Sequence, residues 1–495
     1  MKTTLLLDIA ADAAGDRRAV DNKTYADLRI DAHKVAGLVT GTPARQLAFL
    51  GMNGAIVPTL LFGAGYTGLP FCPLNYRLPD DKLNSLVGRT SPSLLVVDDE
   101  MLPRIQPHEG VTVLARSECE SKIADLQSSE TVVECEGDIA VLLFTSGTTG
   151  DPKAAVLRHE NLTSYVMGTV EFLSAEESEA ALVSVPAYHI AGISAVLSGV
   201  YSGRRIVYLP AFKPDEWAET AQRENVTHAM VVPTMLDRIL DTVGHLHAPL
   251  PSLKSLSYGG GKMPEPVIER AMKLLPNCAF VNAYGLTETS STIALLSAED
   301  HRTAFSSKDP IVRRRLGSVG RPLPGLEIEI RGEDGRTVLP AGESGEIYVR
   351  GPQVSGEYLG RKLTDEDGWF ATNDGGWLDD DGYLFVEGRL DDVIVRGGEN
   401  ISPGEIEDCL RRHNAIADCA VIGLPCTQWG EKVAAAVVCN QELSAQELGE
   451  YVRGCLRSTK TPEVWFFEAE LPYNETGKLL RRELRARFAQ EEESA

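Results

Sequence analysis

A short apolar run, Ala140-Val-Leu-Leu-Phe144, leads straight into Thr145-Ser-Gly-Thr-Thr-Gly-Asp-Pro-Lys153. The run reads as a buried strand. The segment after it constrains the fold most: a tight loop of hydroxyls and glycines, closed by a lysine. Glycines let backbone N–H groups approach a ligand closely, the hydroxyls donate hydrogen bonds, and the lysine adds a point charge. Such a loop at the end of a strand is built to hold phosphates. Its spacing departs from G-x-x-x-x-G-K-[ST], so it is not the usual P-loop.

At 495 residues the chain is too long for one simple core, and two or three domains are expected. No apolar run approaches the ~18 residues that span a membrane. The start, Met1-Lys-Thr-Thr-Leu-Leu-Leu-Asp8, meets an acid after three leucines and lacks a signal-peptide core. Nine cysteines without a C-x-x-C pair suit reduced thiols in a cytoplasm, and they argue against a zinc site or a disulfide framework. A net charge of −23 disfavours a nucleic-acid surface. An anionic ligand must therefore be met by local Lys and Arg.

From about residue 25 to 300, short apolar runs alternate with helical patterns, which argues α/β layers. Leu47–Gly51, Ser93–Val97, Thr227–Val232 and Leu253–Tyr258 read as strands, and Pro214–Asn225 as a helix with proline early. Between about 317 and 388 the pattern becomes β-rich: Leu326–Ile330 and Glu346–Val349 alternate with period two around turns such as Glu333-Asp-Gly335. A third section holds Ser402-Pro-Gly-Glu405 and Ser444-Ala-Gln-Glu447, both capping boxes. Strands are expected at Cys419–Leu424, Val433–Val438 and Val464–Glu468, and the acidic end Glu491–Ala495 reads as frayed. The expected fold is α/β: a large N-terminal domain over 1–388 whose β-rich part spans about 317–388, and a small mobile α+β domain over 389–495.

Further motifs occur in order: Pro186-Ala-Tyr-His-Ile-Ala-Gly192, Tyr258-Gly-Gly-Gly261, Asn282-Ala-Tyr-Gly-Leu-Thr-Glu288, Trp369-Phe-Ala-Thr-Asn-Asp374, Gly388-Arg-Leu-Asp-Asp-Val-Ile394, Gly397-Gly-Glu-Asn-Ile401 and Thr476-Gly-Lys478. Together they resemble the adenylate-forming superfamily of acyl-CoA synthetases, luciferases and peptide-synthetase adenylation domains, over nearly the whole chain. The resemblance implies two half-reactions. A carboxylate attacks the α-phosphate of ATP to give acyl-AMP and pyrophosphate, and a thiol then displaces AMP. Both need charge neutralisation more than covalent catalysis.

The resemblance also implies residue roles. Thr145, Ser146, Gly147, Thr148, Thr149, Gly150 and Lys153 match the loop for the β- and γ-phosphates. Thr287 matches the α-phosphate ligand and Glu288 the Mg2+ ligand, a hard oxygen for a hard cation. Gly260 and Gly261 belong to the nucleotide site. Tyr284 would stack on adenine and Asn282 would read its amino group. Asp374, assisted by Arg389, would accept the ribose hydroxyls. Lys478 would bridge the substrate carboxylate and the α-phosphate, and His189 would lie near that carboxylate. Asp391 matches the hinge of the small domain. Gly397, Gly398 and Trp429 would flank the pantetheine of CoA, with Arg396, Arg411 and Arg412 as candidates for its phosphates. Two positions depart from the family, where glycine is usual at 373 and common at 154. Asn373 is the non-glycine type that best tolerates positive φ, so Asn373→Gly reads as nearly silent. Ala154 is strained only if its site needs positive φ.

Amino-acid-activating relatives carry an aspartate for the amine near Ala187-Tyr-His189, and here the residues are neutral or His. The pocket expected from Tyr188, Ile190, Ala191, Val231, Val232, Thr234, Tyr258, Gly259 and Thr292 is mostly apolar and suits a fatty, aromatic or polycyclic acid. The reading is an ATP-dependent acyl-CoA ligase with ATP, Mg2+ and CoA as co-substrates, a small-molecule carboxylic acid as partner, no nucleic acid and no membrane span; a homodimer stays open. A stand-alone enzyme loading an acyl carrier protein and a non-catalytic nucleotide-binding relative are the alternatives.

Overall fold

The computed structural model describes residues 1–126, 137–145, 152–245, 249–473 and 479–493. Two large sheets carry the N-terminal part, each parallel at its centre and antiparallel toward an edge. The first runs through Arg321–Pro322, Ser291–Leu296, Ala279–Leu286, Ser255–Gly259, His228–Val231, Ala180–Val183, Arg205–Tyr208, Arg18–Val20 and Lys23–Thr24. The second runs through Arg361–Lys362, Glu357–Tyr358, Lys153–Arg158, Ile139–Thr145, Phe71–Pro73, Leu47–Leu50, Ser93–Val97 and Val111–Ala115. Leu47–Leu50 and Ser93–Val97 are buried along their whole length, which is why they read as unbroken apolar runs rather than alternating ones.

The main core lies between the sheets. It joins Val20, Val183 and Ile206 of the first sheet to Leu47, Phe71 and Val141 of the second. Between them pack the helices Ile56–Thr67 and Ile190–Ser202. Ile56 through Tyr66 are all buried, as suits a helix apolar on every side. It stops at Gly68, which takes the left-handed conformation (φ 70°) that a side chain would resist. The motif residues lie in the carboxyl-terminal parts of the parallel strands Ala180–Val183, His228–Val231, Ser255–Gly259 and Ala279–Leu286 or follow them, where open α/β sheets form their crevices.

A four-stranded antiparallel sheet comprises Glu327–Arg331, Gly345–Arg350, Phe370–Leu378 and Leu384–Arg389. The β-rich section is less separate than the sequence predicts. Arg321–Pro322 completes an edge of the first large sheet, and Glu357–Tyr358 pairs with Lys153–Arg158 of the second. The C-terminal section has its own sheet, Glu399–Ile401, Ile394–Arg396, Gly430–Cys439 and Ile416–Cys426, with Val464–Phe467 running parallel to Gly430–Cys439.

Among the described residues, the α-helices Pro403–Arg411, Ala445–Cys455 and Arg481–Glu493 complete this section. Ser444 caps its helix as predicted, with the reciprocal bond to Glu447. Ser402 does not cap: its hydroxyl turns to the carbonyl of Glu387, and Glu405 is taken by Lys460 at 2.5 Å. The acidic end continues a helix through Glu493 instead of fraying from Glu491. No helix among the described residues is long and apolar enough to cross a membrane.

Candidate active site

The strand Ile139–Thr145 pairs antiparallel with Lys153–Arg158, so Thr145 and Lys153 face each other at the ends of the predicted phosphate loop. The loop's Ser146, Gly147, Thr148, Thr149 and Gly150 lie outside the described residues, as does Lys478. Lys153 is exposed, with its ammonium 5.6 Å from the centre of the Tyr358 ring. Tyr358 donates at 2.5 Å to Oε1 of Glu288, which is buried in the turn Thr287–Thr289. The amide of Gly356 also donates to the Glu288 carbonyl, at 2.8 Å. Thus the lysine of the phosphate loop and the acidic end of Tyr-Gly-Leu-Thr-Glu288 meet at one phenol. Burial and the Glu288 charge push that phenol up to about 12, so it stays protonated and can keep donating. Sequence reasoning missed Tyr358, which sits in a two-residue strand too short to carry a pattern. Ala154 lies in ordinary strand pairing opposite Phe144 and is unstrained, so Ala154→Gly brings no benefit.

The second group lies on the strands Ala279–Leu286 and Phe370–Leu378. Asn282 is buried and its Nδ2 donates to the Ser318 carbonyl at 3.1 Å, which leaves its oxygen as the acceptor it can offer a ligand. The Tyr284 hydroxyl donates to Oδ2 of Asp374 at 2.6 Å. Arg389 lies directly across the ladder from Asp374 and donates to its Oδ1 at 3.1 Å. Burial, then the Asp374 charge, holds the Tyr284 phenol far above its ordinary value. Asp374 is therefore an acceptor held from two sides, by the Tyr284 hydroxyl and the Arg389 guanidinium. Asn373 has φ 59°, as its residue type predicts. Its Nδ2 donates to Asp391 Oδ2 at 2.7 Å and its amide donates to Glu346. Gly259 admits no side chain, because a Cβ there would lie 2.2 Å from the Ala283 carbonyl. Gly260 has φ 78°, and both Gly260 and Gly261 are exposed at the strand end.

Of the predicted acid pocket, Tyr188 is buried, edge-on to Tyr76 at 5.7 Å and tilted against His189 at 4.5 Å. His189 stands at the N-terminus of Ile190–Ser202, with Ile190 and Ala191 half-buried after it. Val231, Val232 and Thr292 are buried and Thr234 half-buried. Tyr258 must be corrected. It is fully buried in the core beneath the first sheet, and its hydroxyl is held at 2.7 Å by His301 Nε2, whose Nδ1 is 2.8 Å from the Ser297 carbonyl. Its side chain belongs to that core.

In the C-terminal section Asp391 lies in the turn Leu390–Asp392. Gly397 (φ 59°) donates its amide to the Trp429 carbonyl, and a Cβ there would meet the Trp429 ring at 2.8 Å. Gly398 (φ 86°) faces open space, and Trp429 is exposed. Arg396 lies over Trp429 but is paired with Glu463 at 2.9 Å. Arg411 is not a surface cation: its guanidinium sits among Glu407, Asp418 and the Cys419 carbonyl. Arg412 remains exposed.

The described residues contain no cluster of three metal-ligating side chains. A single buried carboxylate such as Glu288 still fits Mg2+, which keeps several waters and takes its other ligands from phosphates. Residues 7–359 match the model of the AMP-binding enzyme family, and residues 405–478 match that of the AMP-binding enzyme C-terminal domain. The chain belongs to the AMP-binding enzyme family. It is 31% identical to a fatty acid–[acyl-carrier-protein] ligase, ScoC, of Streptomyces coeruleorubidus over 94% of this chain and 91% of that one. It is 33% identical to a feruloyl-CoA synthase of an Amycolatopsis species over 94% of each. Its fold matches an o-succinylbenzoate CoA synthetase of Bacillus subtilis in complex with its acyl-adenylate, at TM-score 0.82, 28% identity and 98% coverage of each chain. The chain is an AMP-forming acid–thiol ligase of the acyl-CoA synthetase class, working with ATP, Mg2+ and CoA.

Proposed function

We propose that this enzyme activates a hydrophobic carboxylic acid (fatty, aromatic or polycyclic) as its acyl-adenylate and then transfers the acyl group to CoA. The observation that carries the reading is the pair of anchored carboxylates, Glu288 on Tyr358 and Asp374 between Tyr284 and Arg389. One is set for Mg2+ beside the phosphate loop, the other for the ribose. Thr145 to Gly150 and Lys153 then hold the β- and γ-phosphates, Thr287 the α-phosphate, and Gly260, Gly261, Asn282 and Tyr284 the adenine. Lys478 meets the oxygens that become the new anhydride, and His189 lies by the substrate carboxylate. These groups do not react covalently. They hold two anions in line and stabilise the charge that builds on the α-phosphoryl oxygens. The small domain, taken as 389–495, then turns about Asp391 to bring Gly397, Gly398 and Trp429 to the pantetheine arm.

The buried or half-buried Tyr188, Ile190 and Ala191 support an apolar acid, whereas Val231, paired with Tyr258 in the ladder, shares its core face. Carrier loading is the second reading, favoured by the likeness to the Streptomyces carrier-protein ligase. Against it stands the charge of −23, which would repel a carrier of like sign. The test is AMP release with a panel of acids, using CoA and a phosphopantetheinylated carrier protein in parallel. CoA is expected to support turnover. If only the carrier does, the second reading replaces the first.

A further inference from the structure

The N-terminal part and the C-terminal section share no apolar core. Among the described residues, every buried apolar cluster lies wholly within one or the other. Beside the proposed hinge, Asn373 holds Asp391, and Ser402 reaches the Glu387 carbonyl. Away from it, ion pairs join the two. The Lys262 ammonium meets Asp408 at 2.5 Å, and Arg412 lies 3.9 Å from Glu265. Asp408 and Arg412 stand one turn apart at the end of the helix Pro403–Arg411, so they share a face. Lys262 and Glu265 stand just before and at the start of the helix Glu265–Leu274. A cation followed by an acid thus meets an acid followed by a cation, which fixes the register of the contact. Lys262 also lies between Gly261 and the buried Met263, so the contact reaches the rim of the proposed nucleotide site. Like charges oppose it nearby. Burial first, then Asp241, push the carboxyl of Asp237 up against the pull of Arg270, and Asp418 of the C-terminal section adds to that push.

We propose that Lys262 and Asp408, with Glu265 and Arg412 beside them, form an electrostatic latch that holds the C-terminal section in the orientation of the first half-reaction and sets how readily it leaves for the second. They are positioning residues, acting through the orientation of the section. The opposite side of the section points to the first step: Gly398 faces open space and Val395 and Trp429 are exposed, so the surface proposed for pantetheine is turned to solvent. That assignment rests on the proposed ligase activity; the latch itself does not. The side chains of Lys262 and Asp408 are 38% and 41% exposed, so the pair is weak. Weakness suits a contact that opens in every cycle, since separating a buried pair is far more costly.

The test has two arms, both on the full chain. Zero-length carbodiimide coupling without substrates, read by mass spectrometry, is expected to join Lys262 to Asp408. Single-turnover rates of adenylate formation and of thioester formation from supplied acyl-AMP are then compared in the parent, Lys262→Glu, Asp408→Lys and the double exchange. A control exchanges Lys213 and Glu216, an exposed pair at 2.6 Å inside the N-terminal part. Each single reversal sets like charges across the boundary and is expected to lower the ratio of adenylate to thioester rate about threefold. The double exchange restores the ratio, and the control leaves it unmoved. The proposal is overturned if the link does not form, if neither single reversal lowers the ratio, if the double exchange fails to restore it, or if the control lowers it as much. Acid-dependent pyrophosphate exchange by the parent separately tests the ligase reading, and the coupling arm stands without it.

Discussion

Replacing Asn373 with glycine tests how the proposed ribose site is joined to the proposed hinge. From sequence alone the change reads as silent, because glycine takes φ 59° without strain. The structure alters that expectation, since Asn373 Nδ2 also donates to Asp391 Oδ2 at 2.7 Å. Three effects compete. Relief of a left-handed conformation gains up to ~1 kcal/mol, less for Asn than for other types. The extra freedom of glycine in the unfolded chain costs ~0.5–1 kcal/mol. These nearly cancel in overall stability. The hydrogen bond to a carboxylate remains, worth ~1.5–3 kcal/mol when well buried and discounted here to ~1 kcal/mol for an exposed pair. In the proposed rotation about Asp391, that bond is lost when the Leu390–Asp392 turn leaves the strand carrying Asp374. Its loss shifts the balance of small-domain orientations by about fivefold. Single-turnover rates of acyl-adenylate formation and of thioester formation from supplied acyl-AMP read this directly. Their ratio is expected to change about fivefold in Asn373→Gly, with the melting temperature nearly unmoved. Asn373→Asp tolerates the same backbone but sets a second carboxylate against Asp391, so the ratio moves further the same way. An unchanged ratio in both variants refutes the reasoning.

Lys478→Ala should abolish adenylate formation by ~10²–10³-fold while sparing thioester formation from supplied acyl-AMP; equal loss in both steps contradicts its role. Tyr358→Phe removes the phenol that donates to Glu288 and should raise the KM for Mg2+ several-fold with little change in melting temperature, as a metal titration of the rate would record. Glu407 controls an acid limb of stability. Burial pushes its carboxyl up, but Arg481 and Arg411 outweigh this and hold it below its ordinary value. Its contribution is therefore complete above the usual carboxylate range and is lost as pH falls through the lowered folded value. In urea midpoints taken against pH, Glu407→Gln should flatten that acid slope and cost ~3 kcal/mol near neutrality, by leaving the half-buried Arg481 with the looser Asp392 at 3.5 Å in place of Glu407.

What the sequence reveals here is what local chemistry decides. Ser93–Val97 has the limits its apolar run predicts, because a strand covered on both faces leaves no polar position to blur them. Asn373 is left-handed because few other side chains tolerate it. Errors arise where a distant residue decides. The Ser402 cap fails because Lys460 and Glu387 claim its partners. Arg411 reads as a surface cation until Asp418 and Glu407 fold around it. Tyr258 sits in a pocket motif, but strand register turns its ring toward His301, and a one-residue difference in facing is invisible without the pairing. Tyr358 meets Glu288 from 70 residues away, so no local pattern marks it.

At its centre, the proposed cleft joins a hydrophobic acid to the α-phosphate of ATP. Acid-dependent exchange of labelled pyrophosphate into ATP reports that step before any thiol is added. The parent enzyme should exchange label with at least one fatty, aromatic or polycyclic acid, Glu288→Gln should lose the exchange, and no exchange should occur without an acid. Exchange by the parent with none of these acids, at saturating ATP and Mg2+, would contradict the proposed chemistry.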